Sequence, residues 1–396
     1  MSRAMIFALF FLATFFQAGA YGLTFLLPPL FAQFGGNEAD VGTMLALTAM
    51  ATLLVVLASG HITVRLGRLH TIAAAGLLIG LSLAALASAQ QVGVLTALAG
   101  IMLGAGWGLF YTLTPGALSQ IIGADQRIRF FTLLSVFIMA GFGLTPILGA
   151  WLDRTGSGIA AAFWVTAGLC FVAAGLFAAL DRPFRVQAQA TGAAPVSDDQ
   201  PLSFVAIRRV LQSRAAIPIY MVGLGASVFA AMTNFQVVYA VTNGFDYTDY
   251  FSAYTAAVIL CRVLFARFAG GRNPYLAITL LLLVMSLSVA LFVYLGESRL
   301  FYIVGAALFG IGYGVAYPVI KAMAANESDP AVMPQTMQLF GLSYFLGVFG
   351  FPFIAGWLIV TLGLSALLIT ALVLALAETA LAARRYLARR RAPDQA

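Results

Sequence analysis

The stretch Gly104-Ala105-Gly106-Trp107-Gly108-Leu109-Phe110-Tyr111 is answered 206 residues later by Gly310-Ile311-Gly312-Tyr313-Gly314-Val315-Ala316-Tyr317. The same offset places Pro146 on Pro352 and Trp151 on Trp357. An offset near half of a 396-residue chain reads as one unit written twice. In a membrane setting, a repeated half points to two bundles enclosing a path between them.

Composition supplies the membrane setting. Hydrophobic residues make up 62% of the chain and charged residues 9%, whereas soluble domains carry roughly a quarter charged residues. Mean hydropathy is +0.98. Twelve apolar runs are long enough to cross a bilayer as helices: 5–30, 41–60, 71–90, 93–118, 130–151, 158–180, 215–240, 248–268, 274–295, 299–322, 335–359 and 363–383. The expected fold class is therefore an all-α integral membrane protein, with twelve transmembrane helices in two pseudo-symmetric six-helix bundles. The expected divisions are an N-terminal bundle (1–180), a flexible linker (181–214), a C-terminal bundle (215–383) and a basic tail (384–396). Ser203 to Gln212 alternates apolar and basic residues, a pattern suited to a membrane surface. Arg3, the first apolar run and Ala18-Gly19-Ala20 resemble a signal peptide with a small-residue cleavage site, but the run continues through Phe31 with Pro28-Pro29 as its natural end, so it reads as a retained helix.

The arginines orient the runs. With a cytoplasmic N-terminus, 17 of the 21 basic residues fall in inner loops and tails, which places both termini in the cytoplasm of a cell inner membrane. The net charge of +7 is thus a topology signal, with no basic face built for nucleic acid. Cys170 and Cys261 lie within separate runs and suggest neither a disulfide nor a metal site. Hydrolase, metalloprotease and phosphate-loop motifs are absent, so neither an enzyme nor a cofactor is expected. Asp40 and Asp249 stand where helix-capping carboxylates belong.

Between the second and third runs the chain reads Gly60-His61-Ile62-Thr63-Val64-Arg65-Leu66-Gly67-Arg68. This resembles the G-x-L-x-D-R-x-G-R motif of the major facilitator superfamily, matching at Gly60, Arg65, Gly67 and Arg68. The motif's acid is Val64 here, so a gate latched by that acid must close through other contacts. In the fifth run Gly141, Pro146 and Gly149 partly match the exporter motif G-x-x-x-G-P-x-x-G-G, with Thr145 and Ala150 in glycine positions. Two readings stay open there, a flexing helix biased toward export and ordinary small-residue packing. An arginine common in proton-coupled exporters is replaced by Gly100.

The resemblance implies a central cavity lined by helices 1, 4, 7 and 10. Gln17, Tyr21 and Thr24 share one face of the first helix. Tyr111, Asn234, Gln236, Arg262, Tyr313, Tyr317, Gln338 and Tyr344 complete the expected cavity set. Gly60, Arg65, Gly67, Arg68, Pro146 and Lys321 are the expected gating set. His61 and His70 flank the loop after the second run. No Asp or Glu falls mid-run, and Glu378 stands near the end of the last. Embedded cations without anions favour an anionic or neutral substrate.

The expected function is secondary active transport by alternating access, leaning toward efflux of a metabolite or drug-like compound by proton antiport. The alternatives are proton-coupled uptake of an organic anion, and a non-transporting receptor or scaffold of the same fold. Expected partners are a small-molecule substrate, the lipid bilayer and protons as coupling ion, with the chain a monomer.

Overall fold

The computed structural model describes residues 1–123, 126–191, 202–265, 274–294 and 298–391. Contacts divide the chain into two compact units, Met1–Asp199 and Gln200–Ala396. The first unit holds α1 (Arg3–Ala32), α2 (Glu38–Leu66), α3 (Arg68–Ser88), α4 (Val94–Ser119), α5 (Arg127–Arg154) and α6 (Ile159–Thr191). The second holds α7 (Ala216–Asn234, continued by Gln236–Thr242), α8 (Tyr247–Phe265), α9 (Pro274–Tyr294), α10 (Arg299–Asn326), α11 (Pro330–Leu362) and α12 (Leu364–Arg391). Eleven of these are long and apolar enough to cross a membrane. The twelfth, α8, is described over 19 residues and carries Asp249 and Arg262, so it is the more polar one. The protein is a multi-pass, twelve-helix membrane protein.

Within the first unit α1 packs on α5 and α6, α3 lies between α4 and α6, and α2 packs on α4. Within the second, α10 packs on both α8 and α9, while α12 packs on α9 and α7.

The repeated glycines are the seams of this packing. A methyl carbon on Gly104 would overlap the Thr48 carbonyl of α2, and one on Gly106 would sit 2.7 Å from the Ala75 carbonyl of α3. The copy behaves alike: a methyl on Gly310 would lie 2.7 Å from the Tyr254 carbonyl of α8, and one on Gly312 would lie 2.8 Å from the Leu281 carbonyl of α9. Residues two apart point to different sides of a helix, so alternate glycines serve alternate neighbours.

Prolines account for the irregular turns. Pro28 and Pro29 lack the N–H groups that would continue α1, and a 3-10 turn at Thr24–Leu26 precedes them. In α11 a π-helical turn at Leu346–Gly350 sits just before Pro352. Gly67 joins α2 to α3 alone, at φ +81°, a conformation that favours glycine.

Three boundaries differ from the apolar runs. The helix α6 continues to Thr191, so the first part of the expected linker is helical; residues 192–201 lie outside the described set. The segment Phe204–Leu211 is a short helix, capped by the Ser203 hydroxyl accepting from the Ala206 N–H. The helix α12 runs through Arg391, so most of the expected tail is helix. In α12 a run of good helix formers, Ala, Leu and Arg, continues past the point where apolar residues stop, because hydropathy sets the membrane span and propensity sets the helix. The α6 extension runs on in spite of Pro183.

Candidate functional site

The first unit gathers an aromatic cluster from three helices. Tyr21 of α1 stacks on Trp107 of α4 at 5.1 Å and meets Phe142 of α5 at 4.4 Å. Trp107 in turn stacks on Tyr111 at 5.9 Å, one helical turn on. Tyr21 and Trp107 are both buried, while Tyr111 is half-buried. Gln17 and Thr24 do not join this cluster. Thr24 is buried and its hydroxyl donates to the Tyr21 carbonyl at 2.7 Å. Gln17 is buried between α1, α3 and α6; its Oε1 lies 3.3 Å from where a methyl on Gly76 would stand.

The second unit repeats the motif. Tyr313 stacks on Phe229 of α7 at 4.6 Å and lies 6.5 Å from Tyr317, which meets Tyr344 of α11 at 5.0 Å. At the 206-residue offset Trp107 falls on Tyr313 and Tyr111 on Tyr317. Each unit thus presents an aromatic pair one turn apart on equivalent helices. Asn234 and Gln236 are buried on either side of Phe235, where α7 breaks. Gln338 lies on α11, half-buried, with Oε1 lacking a hydrogen-bond partner among the described residues.

The cations have specific tasks. Arg262 donates from Nε to the Gly314 carbonyl at 3.0 Å. Pro318 lies four residues after Gly314 in the same helix and has no N–H to give that carbonyl. Arg68 similarly donates to the Gly116 carbonyl near the end of α4 at 3.1 Å. Arg65 and Lys321 are exposed within their units, and Gly60 is half-buried in α2. His61 is exposed, and His70 lies 3.5 Å from Asp181, which also pairs with Arg185. Asp40 acts as expected in a capping box with Asn37. Asp249 instead pairs with Arg299 at 2.7 Å, joining the starts of α8 and α10.

The buried Pro146 sits in a close seam rather than at an open hinge. A side chain on Gly22 would overlap the Phe142 carbonyl, which Pro146 deprives of its helical donor. Thr145 donates to the carbonyls of Gly19 and Gly141, both at 2.9 Å. These contacts fit the packing reading of the fifth run.

Sequence reading missed two features. Tyr250 and Tyr254 of α8 and Tyr302 of α10 are buried side by side, the Tyr250 and Tyr254 hydroxyls lacking hydrogen-bond partners among the described residues. The spacing of Tyr250 and Tyr254 in α8, one turn apart, was the available signal. The second is Glu378. The apolar run places it toward the inner end of the last span, and the helix α12 continues past it as a basic extension to Arg391. What the run does not display is its burial: Glu378 is 1% exposed and its Oε2 has no partner among the described residues. A buried carboxyl therefore stands beside the embedded cations, and the inference that embedded charges are cationic only does not hold.

The family comparison agrees with this architecture: the family model described as Major Facilitator Superfamily matches residues 9–352. No curated protein matches the chain. With twelve helices and a match over most of its length, the chain belongs to the Major Facilitator Superfamily, whose members are transporters rather than enzymes.

Proposed function

We propose that this transporter exports a metabolite or drug-like compound with a flat aromatic body, by proton antiport across the inner membrane, with both termini in the cytoplasm. The observation that carries this reading is the repeated aromatic pair, Trp107–Tyr111 and Tyr313–Tyr317, on equivalent helices of the two units. Aromatic faces hold apolar rings, and nearby hydroxyls and amides fix their orientation. The bilayer is the solvent, the compound and protons are the partners, and the chain works as a monomer. Rocking of the two bundles, 1–180 and 215–383, exposes the compound to each side in turn. Gly60, Arg65, Gly67, Arg68, Pro146 and Lys321 serve the closing contacts.

Uptake of an organic anion together with protons is the second reading, favoured by Arg262 within α8. Vesicles containing the purified protein and a trapped pH dye separate the readings. For export, ethidium moves against its own gradient when a pH gradient is imposed, and protons move the other way. For anion uptake, salicylate and protons move together. Binding of either compound without flux would leave a receptor and sink both.

A further inference from the structure

Glu378 lies 14 residues from Leu364, the first residue of α12, which is about 21 Å along the helix axis. In a hydrocarbon core about 30 Å thick that leaves about 9 Å to the far boundary, so the carboxyl group lies inside the core on the side of the helix's C-terminal end. It faces Gly225 of α7, where a methyl carbon would stand 2.8 and 2.9 Å from its two oxygens. Gly225 leaves the carboxyl its space: any larger residue there would displace it.

A lone carboxylate in this position would be strongly disfavoured, because an uncompensated charge loses its hydration on burial while the neutral acid avoids most of that loss. Among the described residues, the helices packed against it offer no compensating cation. Helix α7 contributes Tyr220, which is half exposed, and the buried Tyr239 in its continuation. Helix α9 contributes Tyr275 and the exposed Tyr294. The Phe351–Leu362 part of α11 contributes none, and Tyr344 lies earlier in that helix. On α12 itself the nearest cations are Arg384 and Arg385, and Arg385 is paired with Glu327 at 3.0 Å. Beside Glu378, Thr379 bonds to Ser286 of α9 at 3.1 Å, which fixes the register of the two helices.

We propose that Glu378 is a proton-binding site inside the C-terminal unit, carrying its proton while it is packed against Gly225 and releasing it when α7 and α12 part. On release the O–H bond breaks, the electron pair stays on the carboxylate, and the proton passes to water. On return, the carboxylate takes a proton from water on the other side. This rests on the proton-coupled reading above and assigns its proton carrier. At the 206-residue offset the position of Glu378 is taken by Val172, which is 52% exposed, so the buried carboxyl has no counterpart at that position of the first unit.

Infrared spectroscopy of the purified protein in lipid tests the assignment without any substrate. The chain has four glutamates, Glu38, Glu297, Glu327 and Glu378, so labelling glutamate with carbon-13 marks few carboxyls. At about pH 7, near the middle of the usual titration range of proteins, a protonated glutamate band is expected. It should move on labelling, disappear in Glu378→Gln and persist in Glu327→Gln. Absence of the band, or its survival in Glu378→Gln, overturns the proposal. Should Glu378→Gln fail to fold, Gly225→Ala supplies the second measurement, since its methyl must displace the carboxyl and shift the band. An unshifted band in Gly225→Ala overturns the proposal equally. Failure of the proton-antiport reading is seen separately, as ethidium flux that ignores the pH gradient.

Discussion

Arg262 gives its Nε–H to the Gly314 carbonyl at 3.0 Å, the acceptor that Pro318 leaves without a helical donor. The repeat places Val56 where Arg262 stands, and in the first unit the matching carbonyl, that of Gly108, is followed four residues later by Thr112, which has an N–H. The arginine and the proline are therefore a matched pair of departures from the repeat. Arg262→Ala leaves the carbonyl unsatisfied and is expected to cost about 1–3 kcal/mol. Adding Pro318→Ala restores a helical donor, so the double variant should recover part of the loss in a thermal unfolding series. Additive losses would break the link between the two residues.

The glycine seams predict a contrast between two glycines of the same unit. Gly104→Ala forces a methyl into the Thr48 carbonyl and should cost about 1–3 kcal/mol. A methyl on Gly168 of α6 meets nothing within 4 Å, so Gly168→Ala should be neutral or stabilising by up to about 1 kcal/mol. Thermal unfolding in one detergent compares the two directly.

Removing either aromatic pair should weaken substrate handling. Trp107→Ala or Tyr317→Ala removes one ring contact, expected to lower affinity for a flat aromatic compound roughly 3- to 10-fold. Fluorescence titration with ethidium measures it. Equal affinity in both variants would place the compound elsewhere.

The short helix Phe204–Leu211 is tied down by Arg209, which pairs with Asp329. The Ala331 N–H bonded to Asp329, together with Arg209, holds that carboxyl below the usual carboxylate range. A lowered value means the tie is complete at neutral pH and is lost as pH falls through Asp329's own value, on the acid side of the ordinary carboxylate range. A spin label at Val205 should gain mobility in that acid range, and Asp329→Asn should show the mobile state already at neutral pH.

Much of the architecture was legible because it depends on patterns a sequence displays directly. Apolar runs locate the helices, and Gly104, Gly106, Gly310 and Gly312 mark the places where backbones meet. The site was less legible because a side chain's surroundings depend on partners far along the chain. Gln17 and Tyr21 lie one turn apart, yet one ends against α3 and α6 and the other against α4 and α5. The burial of Glu378 was hidden because it depends on a neighbour from another helix. Its partner Gly225 is 153 residues distant, and nothing in either local sequence announces the contact.

The alternating glycines of α4 carry a mechanical consequence. A smooth helix flanked by lipid could slide or turn by small amounts at little cost. Here Gly104 is keyed to the backbone of α2 and Gly106 to that of α3, so a slide past one neighbour drives a backbone carbonyl into the other. The three helices are interlocked like a tongue held in two grooves at once. Motion within each bundle is thereby confined to elements outside the lock, such as the broken α7 and the π-turn of α11, while the locked triplets travel as solid pieces.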